Sequence, residues 1–277
     1  MIIARLMGGM GNQMFQYAIA RNLSIKHNVP MKMDLSFLLN RNQSSGFVYR
    51  DYDLDIFNVF EDFNIEQSKE ILMAGEPHFQ YSEQLMTAIG NELKNGKNII
   101  VNGYWQSPKY FNENESTIRK DFTYKSQISE GTPEHEILKK IKSNKSVAVN
   151  IRRTDYLNTD YHGVMGKEYV DAGMSILENG GEKLHYFIFS DDIEWCEQNL
   201  KYENSTIVGH EYKGKKFGTY QQLMSECENF IIPNSTFAWW AAWLNENPNK
   251  RVIAPKKWFT DGNINTEDLI PKNWERI

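Results

Sequence analysis

Two adjacent arginines, Arg152 and Arg153, leave the apolar run Val147–Ile151, and Asp155 follows them. A guanidinium is a planar fork of donors that suits phosphate, so this pair can act as a pyrophosphate clamp. One arginine can face a ligand while its neighbour points away, and Asp155 is close enough in sequence to hold one guanidinium. A surface Arg–Asp pair is the plain structural alternative. Three other clusters carry comparable chemistry. Gly8-Gly9-Met10-Gly11-Asn12-Gln13 joins an apolar run to a helical pattern. Its glycines let a ligand approach the backbone, and the helix N-terminus favours an anion or polar group; the bland reading is a tight turn. Ser190-Asp191-Asp192 ends the run His185–Phe189, where a carboxylate can accept two N–H bonds from a guanine edge or cap the next helix. Asn234-Ser235-Thr236 opens an apolar helix, where amides and two hydroxyls make an anion site or an ordinary cap.

The elements that must position these residues are legible from periodicity. Ile2–Leu6 reads as a strand, and Phe15, Ile19 and Leu23 share one face of the helix after it. Met31–Asp34 reads as a short strand, 40–60 as an irregular insertion, Glu66–Ala74 as a helix and Asn98–Tyr104 as a strand. Residues 125–135 are polar with Gly and Pro and read as a linker, after which Thr132 caps a helix with Pro133 at its first position. Beyond it, strands at Val147–Ile151, His185–Ser190, Thr206–Val208, Phe230–Ile232 and Arg251–Ala254 alternate with helices at Lys167–Glu178, Ile193–Leu200, Tyr220–Cys227 and Thr236–Leu244. Alternation of this kind predicts parallel sheets covered on both faces, with ligands at the carboxyl ends of the strands.

Composition narrows the function. The chain has 277 residues, 40% hydrophobic and 24% charged, which is globular. Lys plus Arg number 31 against 36 Asp plus Glu, a net charge of −5, so nucleic acid is not expected as a partner. The longest apolar run, Phe237–Leu244, is far below the ~20 residues a bilayer requires. That predicts a protein in the cytoplasm, at most peripheral on the inner face of a membrane. Cys196 and Cys227 form no metal or disulfide pattern. Asp51, Asp53 and Asp55 spell D-x-D twice, but in an irregular segment, so no metal site is expected. The glycine loop matches G-x-G-x-x-G at Gly9 and Gly11 and has Met14 at the third position, which speaks against a dinucleotide oxidoreductase. Aromatic residues reach 13%, and Trp239, Trp240 and Trp243 lie on a helix apolar nearly all round, which implies core.

Taken in order, five segments resemble the α-1,2-fucosyltransferases of glycosyltransferase family 11. They are Gly8–Tyr17, Gly103–Phe111 (GYWQSPKYF), Ile151–Tyr156, Phe189–Asp192 and Asn234–Trp240. The resemblance runs to about Trp258. It implies an α/β chain of GT-B type, two Rossmann-like halves facing a cleft, with an acceptor-side domain at 1–130 and a nucleotide-sugar domain at 131–277. It implies an inverting enzyme that moves L-fucose from GDP-β-L-fucose to a galactoside 2-hydroxyl, with no cofactor and no metal. Arg152 or Arg153 is then expected on the β-phosphate, Asp191 or Asp192 near guanine, and Ser235 and Thr236 near the phosphates. Gly9, Gly11, Gln13, Asn150 and Asn234 complete the expected donor site. Asn12, with Arg152, Arg153 and Asp155, forms the expected catalytic set. Tyr104, Trp105 and Gln106 are expected to meet the acceptor, an oligosaccharide or lipid-linked glycan of the kind used in O-antigen synthesis. Where this family usually has His, the chain has Asn150, which can hydrogen-bond but cannot carry a proton. Asp155 and Asp34 are the carboxylates considered as general base, with no choice between them. Another inverting nucleotide-sugar transferase, or a non-catalytic sugar- or nucleotide-binding protein, is the alternative.

Overall fold

The computed structural model describes residues 1–277 except 43–47, 66–69, 77–78 and 182. The chain forms two compact units, Met1–Lys125 with Ile264–Pro271, and Ser126–Asn263 with Lys272–Ile277. The change of unit falls within the polar 125–135 segment. The later return of Ile264–Pro271 to the first unit has no signal in a boundary drawn at 130/131.

The first unit is a four-stranded parallel sheet, ordered β2-β1-β4-β3. The strands are β1 (Ile2–Arg5), β2 (Met31–Asp34), β3 (Ile71–Gly75) and β4 (Asn98–Asn102). Helix α1 (Met10–His27) ends at Asn28, whose φ of 50° is left-handed, before Pro30 can clash with a further turn. The one-turn helix α2 (Ser36–Leu39), α3 (Glu83–Lys94) and α4 (Glu115–Asp121) complete the unit. The helix expected over Glu66–Ala74 is not there: its first four residues lie outside the described ones, and Ile71–Ala74 lie in β3. This strand pairs with β4 at the sheet edge, with Met73 exposed, and its apolar run Ile71–Ala74 is too short for periodicity to tell a strand from a helix. Helix α3 has Met86, Ile89, Gly90 and Leu93 on its buried side and is capped by Ser82.

The second unit is a six-stranded parallel sheet, ordered β10-β9-β8-β5-β6-β7. It contains α5 (Pro133–Lys142), β5 (Ser146–Ile151), α6 (Lys167–Glu178), β6 (His185–Ser190), α7 (Ile193–Asn199) and β7 (Ser205–Ile207). After these come α8 (Gly218–Ser225), β8 (Asn229–Ile231), α9 (Thr236–Leu244), β9 (Val252–Ala254) and β10 (Glu275–Arg276). On one face of β5, Val147, Val149 and Ile151 pack with Val170 and Leu177 of α6, Cys196 of α7 and Ile231 of β8. Trp239, Trp240 and Trp243 are buried, so α9 is core. No helix among the described residues is long and apolar enough to cross a membrane. Both cysteines are free and buried.

Candidate active site

In the second unit, β6, β5 and β8 are neighbours, so their carboxyl ends bring three of the expected motifs together. Arg152 emerges from β5 and is gripped from two sides. Its guanidinium meets Asp155 at 2.6 Å and Asp191 at 3.2 Å, and lies 5.6 Å from the Tyr156 ring centre. Its side chain keeps 27% exposure. Burial acts to lower its pKa, but the two carboxylates win and raise it, so the charge is secured. Arg153 is spent differently. Its Nε lies 3.1 Å from Asp192, and its guanidinium stacks 4.1 Å from the centre of the Trp195 ring, both on α7 or its cap.

The two aspartates are also committed. Asp191 accepts from the backbone N–H groups of Arg153 (2.9 Å) and Thr154 (3.1 Å) and from the Thr154 hydroxyl (2.5 Å). Asp192 caps α7 by accepting from Trp195 N–H at 3.1 Å. Capping and loop anchoring are therefore their observed work, and neither turns an open carboxylate edge toward a base. Asn150 donates to the Phe189 carbonyl at 3.2 Å, across the β5–β6 pairing.

After β8, Asn234 is buried and donates to the carbonyls of Gly163 (3.1 Å) and Trp258 (3.0 Å), leaving its Oδ1 with no partner. Tyr156 donates to the Asn234 carbonyl at 2.9 Å, which ties the arginine loop to the start of α9. Ser235 is the N-cap residue, yet its hydroxyl makes no capping bond, and Thr236 begins the nine-residue helix. The first N–H groups of a helix have no intrahelical partner and carry partial positive charge. An anion reaching this corner would meet the secured charge of Arg152 and those amides. Sequence reading passed over His162 for want of any motif. It stacks on Tyr156 with ring centres 4.4 Å apart, and burial lowers its pKa beside Arg152.

In the first unit, Gly8 takes φ +72°, and Gly9 caps α1. Asn12 accepts a 2.9 Å bond from Gln106 Nε2. Gln13, expected to contact donor, is fully buried. It donates to the Gly8 and Asp51 carbonyls and accepts from Asp53 N–H, so it staples the 51–53 segment to α1. Asp51 itself pairs with Arg41, and no group of three His, Cys, Asp or Glu able to hold a metal occurs among the described residues. Asp34 accepts from Ser36 N–H and pairs with Arg5 at 3.0 Å, which holds its pKa low against the opposing effect of burial. A base needs the opposite shift.

Trp105, expected to stack on acceptor, is 0% exposed, sits at φ +55° and packs edge-on against Tyr110. Its size fills core rather than making a platform. Tyr104 is the exposed ring, at 38%, and it lies parallel to Phe79 at 6.2 Å. Gln106 is buried, with its Oε1 unpartnered. Glu76, just past β3, accepts from Trp105 N–H at 2.6 Å. Once the segment before it was read as helix, nothing in the sequence pointed to this residue.

Over residues 1–277 the chain matches the family model described as glycosyl transferase family 11. It is 33% identical to an alpha-1,2-colitosyltransferase of Escherichia coli, across 100% of this chain and 98% of that one. It is 28% identical to the O-antigen biosynthesis glycosyltransferase WbnK of Escherichia coli, across 93% and 95%. The crystal structure of fucosyltransferase NodZ from Bradyrhizobium aligns over 88% of this chain and 92% of that chain, with 14% identity and a TM-score of 0.49.

Proposed function

Because the chain belongs to glycosyl transferase family 11, we propose that it moves L-fucose from GDP-β-L-fucose to the 2-hydroxyl of a galactoside, with inversion to an α linkage. The observation that carries this reading is Arg152, fixed by Asp155 and Asp191 at the end of a central strand and tied through Tyr156 to the start of α9. The reaction is a single displacement. The acceptor hydroxyl oxygen attacks C1 of fucose, the bond from C1 to the β-phosphate oxygen breaks, GDP leaves, and the hydroxyl proton is released to solvent. Negative charge grows on the departing phosphate, and Arg152 with the α9 amides stabilises it more than it stabilises the ground state. Arg153 is reassigned from phosphate contact to holding α7. We place Asn150, His162, Ser235 and Thr236 on the nucleotide side, and Tyr104, Gln106 and Asn12 on the acceptor side. Asn12 can orient a hydroxyl but cannot hold its proton.

Charge neutralisation by arginine and helix amides makes the reading metal-independent, and transfer that persists in EDTA checks that part. Similarity to an O-antigen glycosyltransferase supports an oligosaccharide or lipid-linked glycan as acceptor, and we read the enzyme as working at the inner face of a membrane. Similarity to a colitosyltransferase favours one second reading, in which the donor sugar is colitose, the 3-deoxy counterpart of fucose, with the α-1,2 linkage unchanged. Incubation with GDP-fucose and a panel of galactosides, with product linkage read by NMR, tests the proposal. Absence of a fucosylated product across the panel would sink it.

A further inference from the structure

Glu76 lies where a carboxylate has little reason to be unless the fold uses it. It follows β3, and its Oε2 takes the Trp105 N–H at 2.6 Å. That N–H favours its charged form, and the Tyr110 ring lies beside it with its hydroxyl donating to the Gln80 carbonyl at 2.7 Å. Its Oε1 is out of contact with solvent and has no hydrogen-bond partner among the described residues. The same is true of Trp105 Nε1 and Gln106 Oε1. Gly103 lies between these groups: a Cβ there would stand 2.8 Å from Glu76 Cβ and 3.3 Å from Trp105 Nε1. The loop is strained at Trp105, where the carboxylate grips it at φ +55°, and follows Gly103, which takes φ +152° without penalty. A left-handed tryptophan is costly and persists only when its surroundings over-determine it. That conformation puts one ring inward, Tyr104 outward and Gln106 against Asn12.

We propose that Glu76 is a positioning residue for the acceptor side, holding Trp105 left-handed and thereby setting Tyr104, Gln106 and Asn12 in place for the incoming sugar. The inference rests on the transferase reading above. A proton-taking role fits the geometry less well, because one carboxylate oxygen is sealed and the other is committed to an N–H.

The hold depends on pH. Burial pushes the Glu76 carboxyl up to about 7, against the pull of the Trp105 N–H. Among the described residues, the groups that face it are Tyr110 and, beyond that ring, Asp268 and Tyr81, with Lys109 paired to Asp268. Tyr110 is shifted upward, and Tyr81 up to about 12, so neither titrates near neutrality. As pH rises through about 7 the carboxylate ionises, and its bond from Trp105 N–H becomes charge-assisted and roughly twice as strong.

The test is a pH profile of kcat/KM for acceptor in the wild-type enzyme and in Glu76→Gln, which keeps an acceptor oxygen for Trp105 N–H but cannot ionise. The wild type is expected to show a limb that rises between pH 6 and 8, and Glu76→Gln to be flat at the wild type's low-pH level. Its acceptor KM should be raised several-fold and its kcat held within tenfold. GDP affinity should be unchanged, which a general loss of structure would not spare. A flat wild-type profile, a limb that survives in Glu76→Gln, or a kcat collapse of 10²-fold or more would each overturn the proposal, the last in favour of a general base. Near-UV circular dichroism provides a readout without turnover: a tryptophan transition near pH 7 in the wild type, absent from Glu76→Gln. Should the wild type transfer no sugar while that transition is present, the functional reading fails and the hold on Trp105 stands. Should the transition be absent, the positioning role fails by itself.

Discussion

Arg152 and Arg153 are adjacent, yet their surroundings divide the work. Arg152 is held by two carboxylates and remains partly open, whereas Arg153 is closed between Asp192 and the Trp195 ring. Arg152→Ala should therefore lower kcat of the folded enzyme by about 10²–10³, on the order of 3–4 kcal/mol of transition-state stabilisation. Arg153→Ala should lower stability by about 2–3 kcal/mol, from a lost charged hydrogen bond and ring stacking, and leave the residual folded enzyme active. Steady-state kinetics beside thermal melts separate the two, and equal kcat losses in both variants would refute the division. Glu76 sets function against stability. Its folded pKa of about 7 lies above that of an unfolded glutamate, so the folded state binds the proton more tightly. The associated stability is complete below the unfolded value and is lost as pH rises through about 7. Glu76→Gln has no such loss, so it should melt higher than the wild type at pH 8, by on the order of 2 kcal/mol, and not at pH 5. The pH at which acceptor handling improves is the pH at which the wild type gives up stability.

Strands, turns and helices explain which of these assignments the sequence could carry. The second unit was legible because its central strands are buried and read as largely apolar runs, and a motif follows β5, β6 and β8. Edge strand β3 has an apolar run, Ile71–Ala74, that is too short to separate strand from helix by period, and with it went Glu76, whose importance depends on a partner loop 29 residues away. Trp105 was misplaced because side-chain type does not report which way a ring points; that followed from a left-handed backbone no sequence pattern announces. The glycine turn before α1 offers a test at this scale. A Cβ on Gly9 would meet nothing within 4 Å, and its backbone is in an ordinary extended conformation. A Cβ on Gly8 would strike the Asn12 amide at 2.5 Å, at a φ of +72°. Gly8→Ala should thus cost stability of about 1 kcal/mol or more through backbone strain and displace Asn12. Gly9→Ala should leave the melting temperature unchanged. If the turn is open in order to admit substrate, Gly9→Ala will still raise KM, and an unchanged KM would return the turn to a purely structural role.

At the scale of the whole molecule, a net charge of −5 leaves specific sites, rather than a general basic surface, to collect an anionic donor. Binding that prefers the native state raises stability by RT ln(1 + [L]/Kd), about 2.7 kcal/mol at a hundredfold excess over Kd. For a chain of this size that corresponds to an upward shift of roughly 5 °C or more. GDP should produce it and UDP and CDP should not, and equal shifts with all three would remove guanine from the donor. Sugar choice is a separate question, because the proposed phosphate contacts are common to any GDP-sugar. Fucose and colitose differ by one hydroxyl. A site that hydrogen-bonds a hydroxyl discriminates by about 10⁴–10⁵ against an analogue lacking it, whereas an apolar pocket discriminates by only about 10² against the analogue that carries it. A fucosyl site should therefore prefer GDP-fucose by several orders of magnitude in kcat/KM. A colitosyl site should accept both donors within about 10². The ratio of the two rates, measured on one galactoside with the linkage of each product assigned, decides between the readings: fucose is expected to win by more than 10³, and a ratio near unity or inverted would move this chain to the colitosyl side of its family.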